Sequence, residues 1–230
     1  MLIRSYIDIH SPNINCTLQY NCGQIGRKNY WVGKDDAPRN MVEEYVQQWY
    51  KMFLTGDYKG IEYWVYKSED GNSFDPFHFD KDEMDPQITH PKWSAVVNLS
   101  LDKGATCISD MKYGDIKPTE CIYSYGAEGK TVIWDGDVAW ADMASYDDCK
   151  LYLNVWTTRR PKGLTRSKEI PYYHQDLVSG IYKKVRMKTL ESDDIVTHTH
   201  MCDDLFDHFV IKEPGEREFG DLIRVPDCVV

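Results

Sequence analysis

The stretch Phe77-His78-Phe79-Asp80-Lys81-Asp82-Glu83 reads as a β-strand flanked by aromatics and running into a charged loop. Residues i and i+2 of a strand share a face, so the His78 imidazole and the Asp80 carboxylate converge on one side. Outward from it, between Ile61 and Thr157, short β-rich runs alternate with turns. The spacing predicts strands at Ile61–Tyr66, Phe74–Phe79, Trp93–Leu99, Ala105–Ser109, Thr119–Tyr123, Lys130–Ile133, Asp137–Trp140 and Lys150–Thr157. Gly71-Asn72, Asp102-Lys103-Gly104, Tyr113-Gly114, Gly126, Gly129 and Asp135-Gly136 punctuate them. Eight short strands without intervening helical patterns exclude βαβ units and predict a sandwich, barrel or jelly roll.

Upstream stands one strong helix, about Met41 to Leu54. Asn40 is placed to cap it, Glu43 follows three residues on, and Val42, Tyr45, Val46, Trp49 and Phe53 recur at helical spacing before Gly56. Residues 1–40 otherwise suggest short strands near Leu2–Ile9 and Tyr30–Val32. Beyond Arg159-Arg160-Pro161-Lys162-Gly163 regularity fades, with a second amphipathic helix expected near Asp203–Val210 and an irregular tail. The expected organisation is a single domain over 1–230. Its β core lies at about 60–162, the helix at about 41–54 packs on it, and a C-terminal extension covers 163–230.

Composition narrows the function classes. A chain of 230 residues with 42% hydrophobic and 28% charged residues is an ordinary globular protein. Its formal charge of −10 repels phosphate backbones, so no nucleic-acid partner is expected. No stretch approaches the ~18 apolar residues of a membrane span. Seven scattered cysteines without a C-x-x-C pair argue against a disulfide framework or zinc ribbon. Reduced thiols and the lack of a signal-peptide pattern point to the cytoplasm.

His78 and Asp80 supply two thirds of the 2-His-1-carboxylate set that holds non-haem Fe(II) with open positions. Downstream come Trp134-Asp135-Gly136-Asp137-Val138-Ala139-Trp140, then Lys150-Leu151-Tyr152-Leu153-Asn154-Val155-Trp156, then an Arg-Pro. Over roughly residues 60–162 this resembles the Fe(II)/2-oxoglutarate-dependent dioxygenases, above all members carrying a His-Phe-Asp-Lys-Asp-Glu segment. The resemblance implies a double-stranded β-helix (a jelly roll) with flanking helices. It implies iron on His78 and Asp80, and 2-oxoglutarate as cosubstrate held by Lys150, with Asn154 and Tyr66 beside it. Strand parity agrees, since Lys150, Tyr152, Asn154 and Trp156 share one face and Leu151, Leu153 and Val155 the other.

The departure is Trp140, which stands where the family's distal His belongs. Indole offers an N–H and no lone pair, so Trp140 is not a ligand. Three arrangements remain open. Asp142, of the same parity, supplies the third ligand, with Asp137 and His90 as alternatives. Or iron binds through His78 and Asp80, with solvent and 2-oxoglutarate completing the sphere. Or the fold is retained and the site is dead.

The remaining signals are plainer. His198-x-His200 reads as exposed polar residues, Asp82, Glu83 and Asp85 as a solvated loop, and Arg159 and Arg160 as the close of the last strand. No nucleotide or phosphate-loop fingerprint occurs. Two functions follow from the resemblance. One is an Fe(II)/2-oxoglutarate oxygenase hydroxylating a small molecule or peptide. The other is a catalytically inactive binding or regulatory protein on that scaffold.

Overall fold

The computed structural model describes residues 3–7, 12–26, 28–67, 73–100, 104–144, 148–170, 172–175, 182–185 and 222–226. The expected helix near Asp203–Val210 and the His198-x-His200 pair lie outside them, as does the Gly71-Asn72 turn.

Strands β1 (Ile3–Ile7) and β2 (Tyr30–Gly33) and helices α1 (Pro12–Ile25) and α2 (Met41–Phe53) precede the β region. There follow β3 (Gly60–Lys67), β4 (Ser73–His78), β5 (Trp93–Asn98), β6 (Ala105–Lys112), β7 (Glu120–Tyr125), β8 (Lys130–Asp135), β9 (Val138–Ala144) and β10 (Cys149–Trp156). Three short strands come last, β11 (Tyr172–Gln175), β12 (Tyr182–Val185) and β13 (Leu222–Pro226). Each of the eight expected strands is present.

The strands form a six-stranded sheet, β1-β8-β5-β10-β3-β2, and a five-stranded sheet, β13-β7-β6-β9-β4, with β11 and β12 as a separate pair. From β3 to β10 the chain passes between the two large sheets at every step except β6 to β7. The inner orders β8-β5-β10-β3 and β7-β6-β9-β4 are those of a double-stranded β-helix, the jelly roll of two interleaved Greek keys. All the strand pairings are antiparallel.

Parity sorts the side chains into layers. Leu151, Leu153 and Val155 of β10 face outward, where they join Ile61, Tyr63, Val65, Ala95 and Val97 beneath Val42, Val46, Trp49 and Tyr50 of α2 and Leu18 and Cys22 of α1. Between the sheets lie Val96, Ile108, Ile122, Val132, Trp134, Val138, Trp140 and Tyr152. A smaller cluster of Cys107, Cys121 and Ala141, with Phe77 and Tyr123 against it, covers the other face of the five-stranded sheet.

Helix α2 begins where its sequence predicts. Asn40 accepts a hydrogen bond from the Glu43 amide at 3.0 Å. The reciprocal bond of the capping box is displaced by one residue, since Glu43 Oε2 accepts from the Arg39 amide at 2.8 Å. The Asp135-Gly136 turn has a steric reason as well: a Cβ at Gly136 would run into the carbonyl of Pro91.

Three features depart from expectation. Helix α1 occupies part of the segment expected to carry only short strands. Its Pro12 start suits a first helical position, but its apolar residues are too sparse to show a clear stripe. The tail is not wholly irregular, because β13 adds to the edge of the five-stranded sheet through Leu222↔Ser124 to Pro226↔Glu120. The third departure concerns the thiols. Cys22, Cys107 and Cys149 are free, but Cys121 is disulfide-bonded. An odd count requires only that one thiol stay unpaired, and bridge formation depends on proximity in the fold, which spacing along the chain does not encode. Burial pushes the Cys107 and Cys149 thiols up to about 11, which keeps them protonated and unreactive. Among the described residues no helix is long and apolar enough to cross a membrane.

Candidate functional site

The inner faces of β3, β4, β9 and β10 carry the candidate residues to one end of the β-helix. His78 is the last residue of β4 and lies opposite Trp140 of β9 in register. Its Nδ1 is 2.8 Å from the Pro76 carbonyl, which can only accept, so Nδ1 carries a proton and the neutral ring would have its lone pair on Nε2. The ring is about one third exposed and packs 4.4 Å from the Trp140 ring, centroid to centroid.

Asp80 sits just past β4. Its Oδ2 accepts from the Trp140 indole Nε1 at 2.8 Å and lies 2.9 Å from Ser94 Oγ. Trp140, expected from the sequence at the distal-His position, therefore donates its indole N–H to the carboxylate expected to serve as a metal ligand. Trp140 packs between Trp134, tilted against it at 5.4 Å, and Tyr152, stacked on it at 5.3 Å, and Tyr152 stacks on Trp64 at 5.2 Å. These four rings fill the interior beside His78.

Two residues on from Trp140, Asp142 points inward as its parity requires, but away to Lys150. Lys150 Nζ lies 3.1 Å from each Asp142 oxygen, Thr106 Oγ1 donates to Oδ1 at 2.9 Å, and the Tyr152 hydroxyl donates to Oδ2 at 2.7 Å. Lys150 and Asp142 are both buried. Tyr66 stands opposite Lys150 in the β3–β10 register and is half-buried against the inner cluster. Asp137 is at the surface, paired with Lys112 at 2.8 Å, and His90 Nδ1 is 2.7 Å from the Asp80 carbonyl.

Asn154 belongs to a chain of polar contacts behind Asp80. Ser94 Oγ is 2.8 Å from Asn154 Oδ1, and Asn154 Nδ2 lies 3.5 Å from Glu62 Oε2. Glu62 also accepts from Asn29 at 2.8 Å and from the Trp156 indole at 3.2 Å. Burial pushes the Glu62 carboxyl up, the Asn29 bond opposes this, and the charge of Asp80 adds to the rise. Sequence reasoning missed Glu62. A signal existed, because an acidic residue two and four positions before Trp64 and Tyr66 shares their inward face.

The charged loop after Asp80 is not simply solvated. Arg159 pairs with Asp82 at 3.0 Å and with Asp85, and the Lys162 amide is 3.3 Å from Asp82 Oδ2. Arg159 thus ties the loop to the end of β10, and Asp82 is buried beneath it.

These side chains test the fit of iron and 2-oxoglutarate. His78 Nε2 and Asp80 provide two donor groups, and among the described residues no group of three His, Cys, Asp or Glu side chains is placed to hold a metal. The third position presents an N–H already given to Asp80. The cation expected to meet a cosubstrate carboxylate is neutralised by Asp142. The residues present do not fit a three-ligand iron centre with a cosubstrate-binding lysine.

No protein-family description matches this chain, and no curated protein does. Among solved structures it is similar to a prolyl-4-hydroxylase from Pseudomonas putida, at 16% identity and a TM-score of 0.44, over 69% of this chain and 88% of that one. It is similar to the viral collagen prolyl hydroxylase of Paramecium bursaria Chlorella virus-1, at 13% and 0.41, over 69% and 91%. It is also similar to HygX from Streptomyces hygroscopicus with iron bound, at 8% and 0.44, over 73% and 92%.

Proposed function

We propose that this chain is a catalytically inactive, dioxygenase-like β-helix, a binding or regulatory protein whose inner polar centres are occupied by its own side chains. The observation that carries this reading is the 2.8 Å hydrogen bond from Trp140 Nε1 to Asp80 Oδ2. A hydrogen-bonded N–H beside a carboxylate neutralises part of its charge and blocks one of its oxygens, which is the opposite of what a metal-binding position requires. The Lys150–Asp142 pair supports it from the cosubstrate side.

The test is an anaerobic titration of Fe(II) and 2-oxoglutarate into metal-free protein, followed by the visible charge-transfer band of a chelated 2-oxoacid. Wild type and His78→Ala are expected to show no band and to retain no iron after gel filtration. A band in wild type that disappears in His78→Ala would sink this reading.

That outcome would favour the second reading, a non-haem Fe(II)/2-oxoglutarate-dependent oxygenase acting on a small molecule or peptide. One observation speaks for it: the Pro76 carbonyl fixes the His78 tautomer and leaves Nε2 available as a donor. Iron would then rest on His78 and Asp80 alone, supplying the oxidative chemistry, with Lys150, Asn154 and Tyr66 around the cosubstrate. Lys150 would first have to give up Asp142.

A further inference from the structure

Charge is unevenly spread along this chain. Nine of its 27 basic residues but two of its 37 acidic ones fall between Thr157 and Leu190, whereas ten acidic and two basic residues fall between Glu191 and Asp221. The total of −10 therefore conceals one strongly positive stretch. Within it, Arg159 and Arg166 are engaged by Asp82, Asp85 and Glu43, while Arg160, Lys162 and Lys168 are exposed. The stretch is fastened to the body of the fold. The Trp31 amide donates to the Thr165 carbonyl at 2.9 Å, Asn40 Nδ2 to the Lys168 carbonyl at 3.0 Å, and the Ile170 amide to the Arg39 carbonyl at 3.3 Å. Exposed Arg39 thereby joins Lys168 at the start of α2. The chain then enters the β11–β12 ribbon, which packs against α1 through β11. In its register Lys184 lies opposite Tyr173, Lys183 opposite His174, and Tyr182 opposite Gln175. Opposed residues share a face. One face thus carries Tyr172 and Lys183, the other Tyr173, Tyr182 and Lys184, so either face sets a lysine beside a tyrosine.

We propose that the β11–β12 ribbon, with Arg39 and Lys168 beside it, is a binding surface for single-stranded nucleic acid. Its lysines and arginine meet phosphates and its tyrosines stack on bases, the combination that sequence-tolerant single-strand binders use. A duplex hides its base faces, so tyrosines interleaved with lysines serve a single strand and not a double one. The acidic remainder of the molecule does not cancel this surface. At physiological ionic strength a surface charge is screened over about 8 Å, less than the roughly 10 Å that separates two stacked sheets. A partner that meets the ribbon therefore feels the local positive charge before the distant negative one. The surface lies on the α1 side of the fold, apart from His78 and Asp80, and its role is independent of whether iron binds there.

Fluorescence anisotropy of a labelled oligothymidine, titrated with the full chain at several salt concentrations, tests this. Saturable binding is expected at low salt. With about four phosphates engaged, log affinity should fall against log salt with a slope of about −2 to −3. Lys183→Glu/Lys184→Glu should weaken binding at least about tenfold and flatten the slope, and the milder Lys183→Gln/Lys184→Gln should do so in part. Tyr173→Ala/Tyr182→Ala should weaken binding about tenfold, the loss of a stacked base, with the slope unchanged. Lys51→Glu/Lys59→Glu makes the same change of net charge at exposed positions away from the ribbon and should leave affinity within about twofold. No binding at low salt overturns the proposal, as does an equal loss in the Lys51/Lys59 variant, which would reduce the effect to overall charge. Tighter binding of a duplex of the same length overturns it, because stacking would then play no part. Equal competition by polyglutamate also overturns it, since the surface would then fit an acidic polypeptide. The assay contains neither iron nor 2-oxoglutarate, so its outcome is distinct from that of the chelate titration.

Discussion

Trp140 and Trp134 are neighbours in one aromatic cluster, yet they differ in one respect that experiment can read. Trp140 Nε1 donates to Asp80, whereas buried Trp134 Nε1 has no hydrogen-bond partner among the described residues. Trp140→Phe keeps most of the ring contact and strips a donor from a carboxylate, so a loss of about 1.5–3 kcal/mol in denaturant unfolding is expected. Trp134→Phe loses similar ring area without a bond and should cost less. Equal costs would show that the hydrogen bond contributes little. Glu62 makes a second prediction at this scale. Its folded-state pKa lies above that of the unfolded chain, so the folded state holds the proton more tightly. The contribution is present in full below the unfolded carboxyl pKa and is lost as pH rises through the raised folded value. Unfolding free energy measured against pH should therefore fall across that window in wild type, relative to a flatter Glu62→Gln profile. Parallel profiles would refute it.

Asn40 links the start of α2 to the segment after β10, beside Glu43, which accepts from Ser167 Oγ at 2.8 Å and pairs with Arg166. Asn40 caps the helix and also donates through Nδ2 to Ser167 Oγ at 2.7 Å and to the Lys168 carbonyl at 3.0 Å. Asn40→Ala is therefore expected to cost about 1–2 kcal/mol, the upper part of the range for a lost cap, seen as a lower unfolding midpoint. A change within error would mean that the Ser167 contacts are replaced by solvent. The charged loop between β4 and β5 depends on Arg159 in a similar way. Arg159→Ala leaves Asp82 buried without its cation. Hydrogen exchange should accelerate in residues 81–90, with the inner strands unchanged. Protection unaltered in that loop would remove Arg159 from its support.

For the molecule as a whole, the sequence could be read where periodicity decides the outcome. Alternation between Leu151, Leu153, Val155 and Lys150, Tyr152, Asn154 assigns the two faces of β10 before any contact is known, because a strand has only two faces. Asn40 and Glu43 bracket the start of α2 for an equally local reason. The bond between Asp142 and Lys150 could not be read in this way. Parity turns both residues inward, but they belong to strands of different sheets, and their meeting depends on how far apart the sheets stand. The partner of Trp140 Nε1 was hidden for the same reason, as was the anchoring of Asp82 by Arg159. Helix α1 escaped because its burial comes from the neighbouring α2 and the sheet below, not from a stripe of its own.

Trp134 and Trp140 lie 5.4 Å apart with their planes inclined at 59°. Two indoles that close and oblique share their electronic excitations, and a handed pair of this kind gives circular dichroism bands of opposite sign. The protein thus carries an intrinsic optical gauge of its closed interior. The couplet should vanish when either indole becomes phenylalanine. It should also weaken in any ligand-bound state that draws Trp140 away from Asp80, which makes a dichroism spectrum a direct screen for molecules that open the fold.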